Sequence, residues 1–451
     1  MVALVGSVGA QTELIPKFKA PVEIGVGFFP WGIAAADALG YDAENPGLDG
    51  YPDIAVAVGQ LNLYNGYPND WMGEPGEVRI FRNTKNWTNP GDALELAQVI
   101  TLNPIHANTV AADVAWAHTD GDERLDLVIT GTSHFQSGPN EGAWGIYVYR
   151  YDIATNRFVF HDYEPTTFPI RGLTLADFDN DGDLDVAAAV DLLEYDTNRD
   201  YITICKNDGT GHLLPETLYD LGDDSDEATT EVVSGVFDKT PGGASLPDLF
   251  TSRWGLGDGA SLTNLDGTNY QKTLVTDCLG WVFTDITVAR LTSGKLSDDV
   301  IGVDGVVNDT VYVLHGDGNG GFSMDCSGNE PDDVHPLSSG APATLLPLGL
   351  AIGNFNGGTK PDVVVAMGGS SPNPNVAILL GQGNGKLQFT HLDSRYFVSL
   401  GSLADRPLRV VAADLNQDGF DDIITSNHGD SPNDVGTITV LINKTIVSTT
   451  P

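Results

Sequence analysis

An acidic or turn-rich loop that closes on an aspartate and runs straight into an apolar strand occurs seven times in this chain of 451 residues. The copies read "IAAADALGYDAENPGLDGYPDIAVAVG", "DVAWAHTDGDERLDLVITG", "LTLADFDNDGDLDVAAAV", "EVVSGVFDKTPGGASLPDLFTS", "TDITVARLTSGKLSDDVIGV", "GLAIGNFNGGTKPDVVVAMGG" and "LRVVAADLNQDGFDDIITSNHG". Their closing aspartates are Asp53, Asp126, Asp185, Asp248, Asp299, Asp362 and Asp422, separated by 73, 59, 63, 51, 63 and 60 residues. A loose period of about sixty residues suits one four-stranded propeller blade with long loops, and seven copies suit one closed ring. Each copy continues with an alternating strand, such as "GEVRIFRN", "YITICKN" or "GTITVLIN", and then a weaker fourth strand. The last copy stops short, after "TITVLINKT", while "FKAPVEIGVG" stands ahead of the first hairpin with nothing before it to pair with. Residues 18–26 are therefore expected to form the outer strand of the seventh blade and to hide its sheet edge. A stacked solenoid would need end caps instead. The expected architecture is all-β, a single seven-bladed propeller over residues 18–445, with an apolar tail or residual signal segment at 1–17 and a short tail at 446–451.

Composition agrees with many strands and turns: 53 Gly, 25 Pro and 41% hydrophobic residues in short runs, without a long stretch of helical period. Against 62 Asp and Glu stand 22 Lys and Arg, a formal charge of -40 that repels nucleic acid and anionic lipid. Neither is expected as a partner. No run of eighteen apolar residues is present, so no membrane insertion by a helix is expected. Cys205, Cys278 and Cys326 are too few for a cysteine-based zinc cluster and leave at least one thiol unpaired within the chain. The opening "MVALVGSVGAQ" is similar to the end of a secretory signal but lacks a basic segment before it, so it is read either as a signal remnant or as a strand used in assembly. A secreted or cell-surface location is expected.

The loops themselves carry a chemistry. In "LADFDNDGDLDVAAAV", Asp177, Asp179 and Asp181 stand at positions 1, 3 and 5, with Gly182 at position 6. Carboxylates so spaced around a glycine turn bring their oxygens to one point, which is how a hard cation such as calcium is held. An EF-hand is excluded, because Ala188 stands where a bidentate Glu is needed and the flanks read as strands. The loop is instead closed at position 9 by Asp185, with the carbonyl of Asp183 at position 7. A second complete set is Asp414, Asn416, Asp418 and Asp422 with the carbonyl of Phe420. The second copy offers His118, Asp120, Asp122 and Asp126, with Glu123 in the glycine place; the first offers Asp37 and Asp53 around an insertion holding Asp42, Glu44 and Asp49. Copy six retains Asn354, Asn356 and Asp362, copy five has Arg290 where the first ligand belongs, and copy four has lost the pattern. Two calcium sites are expected, and up to four. The alternative at every copy is a polar turn whose aspartate accepts backbone N–H groups.

On these residues the chain resembles the FG-GAP/VCBS repeats of integrin α-subunit propellers and many secreted microbial proteins. "LADFDNDGDLDVAAAV" and "AADLNQDGFDDIITS" carry the likeness, together with "VYVLHGDGNGGF" and "VAILLGQGNGKL". The resemblance implies a seven-bladed propeller with calcium in inter-strand loops on one face. No nucleophile elbow, HExxH, phosphate-binding glycine loop or CxxC is present, so an enzyme is not expected. The expected function is a non-enzymatic, extracytoplasmic calcium-binding propeller in adhesion or self-assembly, with other copies of itself or a protein or glycan surface as partner. A glycan-binding lectin is the alternative, and a polysaccharide-active enzyme stands behind both. For a ligand on the face opposite the calcium loops, the candidate side chains are Tyr64, Tyr67, Trp71, His134, Trp144, Tyr195, Trp254 and His428.

Overall fold

The computed structural model describes residues 15–27, 29–40, 48–59, 76–102, 109–132, 144–190, 199–222, 228–238, 246–254, 258–276, 283–324, 333–338, 345–369, 376–401, 406–429 and 435–445. These residues form seven antiparallel sheets, each strand hydrogen-bonded to the next in chain order except in the last. Blade one is Pro30–Ala36, Asp53–Val58, Glu77–Asn83 and Leu94–Thr101, and blade two is Val110–Ala117, Asp126–Thr132, Gly145–Asp152 and Arg157–Pro165. Blade three starts at Ile170–Ala176, four at Ala228–Gly235, five at Phe283–Ala289, six at Pro347–Gly353 and seven at Pro407–Ala413. In blades five and six two short segments share the outer position, Phe322–Ser323 with Val334–Pro336 and Leu387–Gln388 with Phe397–Val398. The helical content of the described residues is two 3-10 turns, Pro90–Asp92 and Ser394–Tyr396, so no helix there is long and apolar enough to cross a membrane.

The seventh sheet closes the ring as the sequence leads one to expect. Its outer strand is Val22–Gly27, which pairs with Gly436–Leu441 in the register Val22 to Val440 and Ile24 to Ile438. Beyond it the pairing continues: Lys19 N–H donates to the Ile442 carbonyl at 2.8 Å, and Lys444 N–H to the Lys17 carbonyl at 2.7 Å.

Burial explains why the strand after each closing aspartate is a continuous apolar run rather than an alternating one. Asp53–Val58, Asp126–Thr132 and Asp185–Val190 are buried at every residue, since a blade is covered on both faces by its neighbours. Ile54 and Val56 pack with Ile424, Ile438 and Val440 of blade seven, whereas Ala55 and Ala57 pack with Leu127 and Ile129 of blade two. Alternation survives, but both faces are core. The seven first strands contact one another in a closed circle, which makes them the inner wall of the ring.

Candidate metal loops

In every blade the closing aspartate begins the second strand, opposite the last residue of the first: Asp185 faces Ala176, and Asp422 faces Ala413. All seven are buried. Each places one carboxylate oxygen on its own loop and the other on the end of the third strand. Asp185 Oδ2 accepts from Phe178 N–H at 3.0 Å and Oδ1 from Asn207 N–H at 2.8 Å. Asp422 does the same with Leu415 at 3.0 Å and Asn443 at 2.7 Å, and Asp248 with Phe237 and Asn264, both at 2.8 Å. The polar-turn alternative is thus realised at all seven copies as a three-strand clasp.

The clasp extends between blades through a residue type that sequence reasoning passed over. In four blades an asparagine stands at the end of the third strand or two residues past it, and its side-chain amide donates to a carbonyl of the preceding blade. Asn207 reaches Thr119 at 2.7 Å, Asn264 reaches Phe178 at 2.7 Å, Asn443 reaches Phe355 at 2.8 Å and Asn83 reaches Leu415 at 2.9 Å. The signal was present in the closing letters of "IFRN", "ICKN" and "VLIN".

Loops three and seven fold alike. Asp177 Oδ1 accepts from Asp181 N–H at 3.1 Å and Oδ2 from Gly182 N–H at 3.0 Å; Asp414 accepts from Asp418 at 3.0 Å and Gly419 at 2.8 Å. Gly182 and Gly419 have φ of 103° and 89°, where a Cβ would be strained. The loop-one insertion leaves this frame intact, because Asp37 accepts from Asp49 N–H at 3.2 Å and Gly50 N–H at 2.8 Å, with Gly50 at φ 82°. Asp49 therefore takes position 5 and Gly50 position 6, an equivalence hidden by the extra residues. Asp42 and Glu44 lie outside the described residues.

Asp177, Asp179 and Asp185 each offer an oxygen within 4.8 Å of the others. Asp179 Oδ2 pairs with Lys206 Nζ at 2.8 Å, while its Oδ1 is buried and meets no donor among the described residues. Burial holds the Asp185 carboxyl up at about 6, helped by the charges of Asp179 and Asp181, and that of Asp422 up at about 8, helped by Asp418 and Asp414. Burial and the charges of Asp179, Asp183 and Asp177 also raise Asp181. An all-oxygen donor set of carboxylates, an orphaned carboxylate oxygen and mutual repulsion fit a hard divalent cation, and among the described residues no thiol or imidazole joins the loop-three cluster to suit a softer one.

In loops two and five the protein's own groups meet the ligand positions. In loop two, His118 Nδ1 bonds the Arg124 carbonyl at 2.9 Å, the group at position 7, and Asp120 is ion-paired with Arg150. In loop five, Lys295 Nζ lies 2.6 Å from Asp299 Oδ1 and Arg290 2.7 Å from Asp298. Burial pushes Asp299 up, yet His315 and Lys295 outweigh it and hold the carboxyl below its usual range. In loop six, Asn356 Oδ1 accepts from Gly358 N–H at 2.8 Å and the Asn354 backbone N–H donates to Asp421 Oδ2 of the next blade at 2.7 Å, while Asn354 Oδ1 is buried and meets no donor among the described residues.

The connections between second and third strands leave from the opposite end of each blade. Tyr64, Tyr67, Trp71, His134 and Tyr195 lie outside the described residues, as do Cys278 and Cys326, and the side chain of Trp254 is likewise not described. Trp144 is buried, so its ring packs on blade two instead of facing solvent. His428 is partly buried, its ring centroid 4.1 Å from that of Phe29.

The FG-GAP-like repeat profile matches residues 118–188 and 354–425, which run from loop two into the second strand of blade three and from loop six into that of blade seven. No curated protein matches the chain. Among solved structures, BBS1N in complex with ARL6DN, in a mercury-soaked crystal, is similar at 10% identity over 95% of this chain and 97% of that one, with a TM-score of 0.52. Its lead-soaked counterpart gives 0.51, and Sqt1 of Saccharomyces cerevisiae 0.49 at 10% identity over 95% and 99% of the two chains. At such identities the likeness is one of fold.

Proposed function

Since this chain is a seven-bladed propeller carrying FG-GAP-like repeats, we propose that it is a non-enzymatic interaction scaffold whose loop face is stabilised by calcium. The observation that carries the reading is the convergence of Asp177, Asp179 and Asp185 around an unpartnered oxygen of Asp179. Loop three would hold one ion through those residues, Asp181 and the Asp183 carbonyl; loop seven a second through Asp414, Asn416, Asp418, Asp422 and the Phe420 carbonyl. Loop one, with Asp37, Asp49 and Asp53, offers a third. Loops two and five are read as metal-free, because their own His, Lys and Arg groups already meet the ligand positions, and loop six because Asp362 is the one carboxylate at its ligand positions. The ion would stabilise the fold by binding the native loops and relieving carboxylate repulsion; no reaction step is required of it.

Contact with another protein surface, in adhesion or self-assembly, is supported by the outer strands of blades one and two. Leu96 and Val99 of the one and Val159 and Phe160 of the other are exposed, and Gln98 joins the two strands by bonding both backbone groups of Phe158, at 2.8 and 2.9 Å. The test is terbium or calcium titration of the purified protein, with light scattering in calcium and in chelator. Binding of two or three ions and a calcium-dependent oligomer that Val159→Glu disrupts would support the reading. Absence of saturable calcium binding would overturn the metal part, and a monomer under all conditions the self-assembly part.

A further inference from the structure

The residue four places before the one that faces the closing aspartate is glycine in blades one, three and six, namely Gly32, Gly172 and Gly349. In the other four blades it is charged: Asp113, Glu231, Asp285 and Arg409. In all seven first strands the pairing register shifts at this place. A bulge bends the strand and re-aims a side chain, and here the bulges stand on the inner wall of the ring. The glycines leave room for what the others bring. A Cβ at Gly172 would strike the Glu231 carboxylate, one at Gly32 would strike Asp113, and one at Gly349 the backbone of Leu408 and Arg409.

Arg409 is the centre of this layer. From blade seven it pairs with Glu231 of blade four, and its Nη1 lies 3.2 Å from Asp285 Oδ1 of blade five. The same nitrogen donates at 3.4 Å to the carbonyls of Thr284 in blade five and Leu348 in blade six. Its guanidinium carbon stands 6.0 Å from the ring centroid of Trp31 in blade one, and its charge acts on Asp113 of blade two. Burial raises the carboxyls of Asp113 and Asp285, the latter also through the charge of Asp113, and burial with the charge of Arg171 in blade three lowers Arg409 to about 10, so the guanidinium stays charged at neutral pH.

We propose that Arg409 is a resident axial cation, a cross-brace that shares its one positive charge among Glu231, Asp285 and Asp113, ties blades on opposite sides of the ring and closes the channel at this level. It supplies at the axis, permanently and from the chain itself, what calcium is read to supply at the loop face. A planar guanidinium spreads five donors in fixed directions, so it reaches acceptors on separate blades that the three donors of a compact ammonium would not span. A ligand is thereby directed to the rim and not to the axis.

The experiment compares thermal unfolding of the full chain, in saturating calcium, for Arg409→Met and for the combined variant Arg409→Met, Glu231→Gln, Asp285→Asn, Asp113→Asn. Removing one partner of a buried ionic group strands the others, while neutralising the whole group is close to harmless. Arg409→Met is expected to lower the midpoint by about 5 °C or to prevent folding. The combined variant is expected to fold and to recover at least half of that loss. An Arg409→Met midpoint within about 1 °C of the parent, or a combined variant no more stable than Arg409→Met, including both failing to fold, would overturn the proposal. Calcium occupancy is the same in every arm, so the outcome is independent of the metal reading.

Discussion

Asn207 serves Asp185 and the neighbouring blade at once: its backbone N–H donates to Asp185 Oδ1 at 2.8 Å while its side-chain amide donates to the Thr119 carbonyl at 2.7 Å. One residue thus locks a hairpin to its third strand and that strand to the previous blade. Asn443 repeats the arrangement with Asp422 and Phe355. Replacing either asparagine by alanine keeps the backbone bond and strands a buried carbonyl, at a cost of about 1–3 kcal/mol each. The two sites share no partner, so denaturant titration of the double variant should give the sum of the single effects.

Chelation should lower the unfolding midpoint, and Asp181→Ala combined with Asp418→Ala should reproduce most of the loss. A midpoint indifferent to chelator would mean that these loops are turns and nothing more.

Loops three and seven should differ in affinity for a reason the structure makes explicit. Lys206 holds Asp179 at 2.8 Å in loop three, whereas the corresponding residue beside loop seven is Ile442. Lys206→Met should tighten calcium binding at loop three by a factor of roughly two to five, the scale of a partly exposed ion pair. Terbium luminescence of the single-loop variants would measure it; weaker binding in Lys206→Met would show that the ammonium helps to shape the site.

The closing aspartates predict an unusual pH response. Burial lifts Asp185 and Asp248 to about 6, Asp53 to about 7 and Asp422 to about 8. Folded values above the unfolded value mean that the native state binds protons more tightly, so the metal-free protein should gain stability as pH falls from about 8 toward about 4. Protons compete with calcium for the same oxygens, so the increment due to calcium should shrink over that window. Blade five runs the other way: His315 and Lys295 hold Asp299 low, and its contribution fades as pH falls through that depressed value. Melting curves in chelator at pH 8 and pH 5.5 decide the matter, a lower midpoint at pH 5.5 being the contrary result.

The seven copies, their strand order and the exchange of Val22–Gly27 into the last blade were legible in the sequence, because each follows from a local pattern: an acidic turn, an apolar run, an unpaired strand at either end. The shared frame of loops three and seven, an aspartate accepting two N–H groups around a glycine turn, was legible for the same reason. What escaped depends on contact between blades. Asn207 and Thr119 are 88 positions apart, Asn83 and Leu415 are 332 apart, and no periodicity within one copy announces such a bond. Asp49 escaped because an insertion broke the spacing, though not the backbone frame, of loop one. Lys206, Lys295 and Arg150 each come to a loop carboxylate by folding alone, and the charge that Arg409 brings to the axis is visible only once seven first strands form a circle. The burial of Trp144 shows the converse: a loop-edge aromatic in the sequence is a packed one in the fold.

Removal of residues 1–27 should expose the edge of Gly436–Leu441, whose backbone groups now pair with Val22–Gly27. Size-exclusion chromatography of the truncated chain should show aggregates or unfolded material. A soluble ring of unchanged stability would place the closing force elsewhere, at the inner wall.

The way that seam is stitched also determines how the molecule bears mechanical load. Val22–Gly27 and Gly436–Leu441 run antiparallel, and the chain enters and leaves the pair at the same end, where Lys17 meets Lys444 and Phe18 bridges to Asn443. Tension applied through both ends of the chain would therefore peel the strands apart one bond at a time, as a zipper opens, and the ring would part at low force. The same tension entering through one end and a surface loop would act along the strands, loading many hydrogen bonds in parallel.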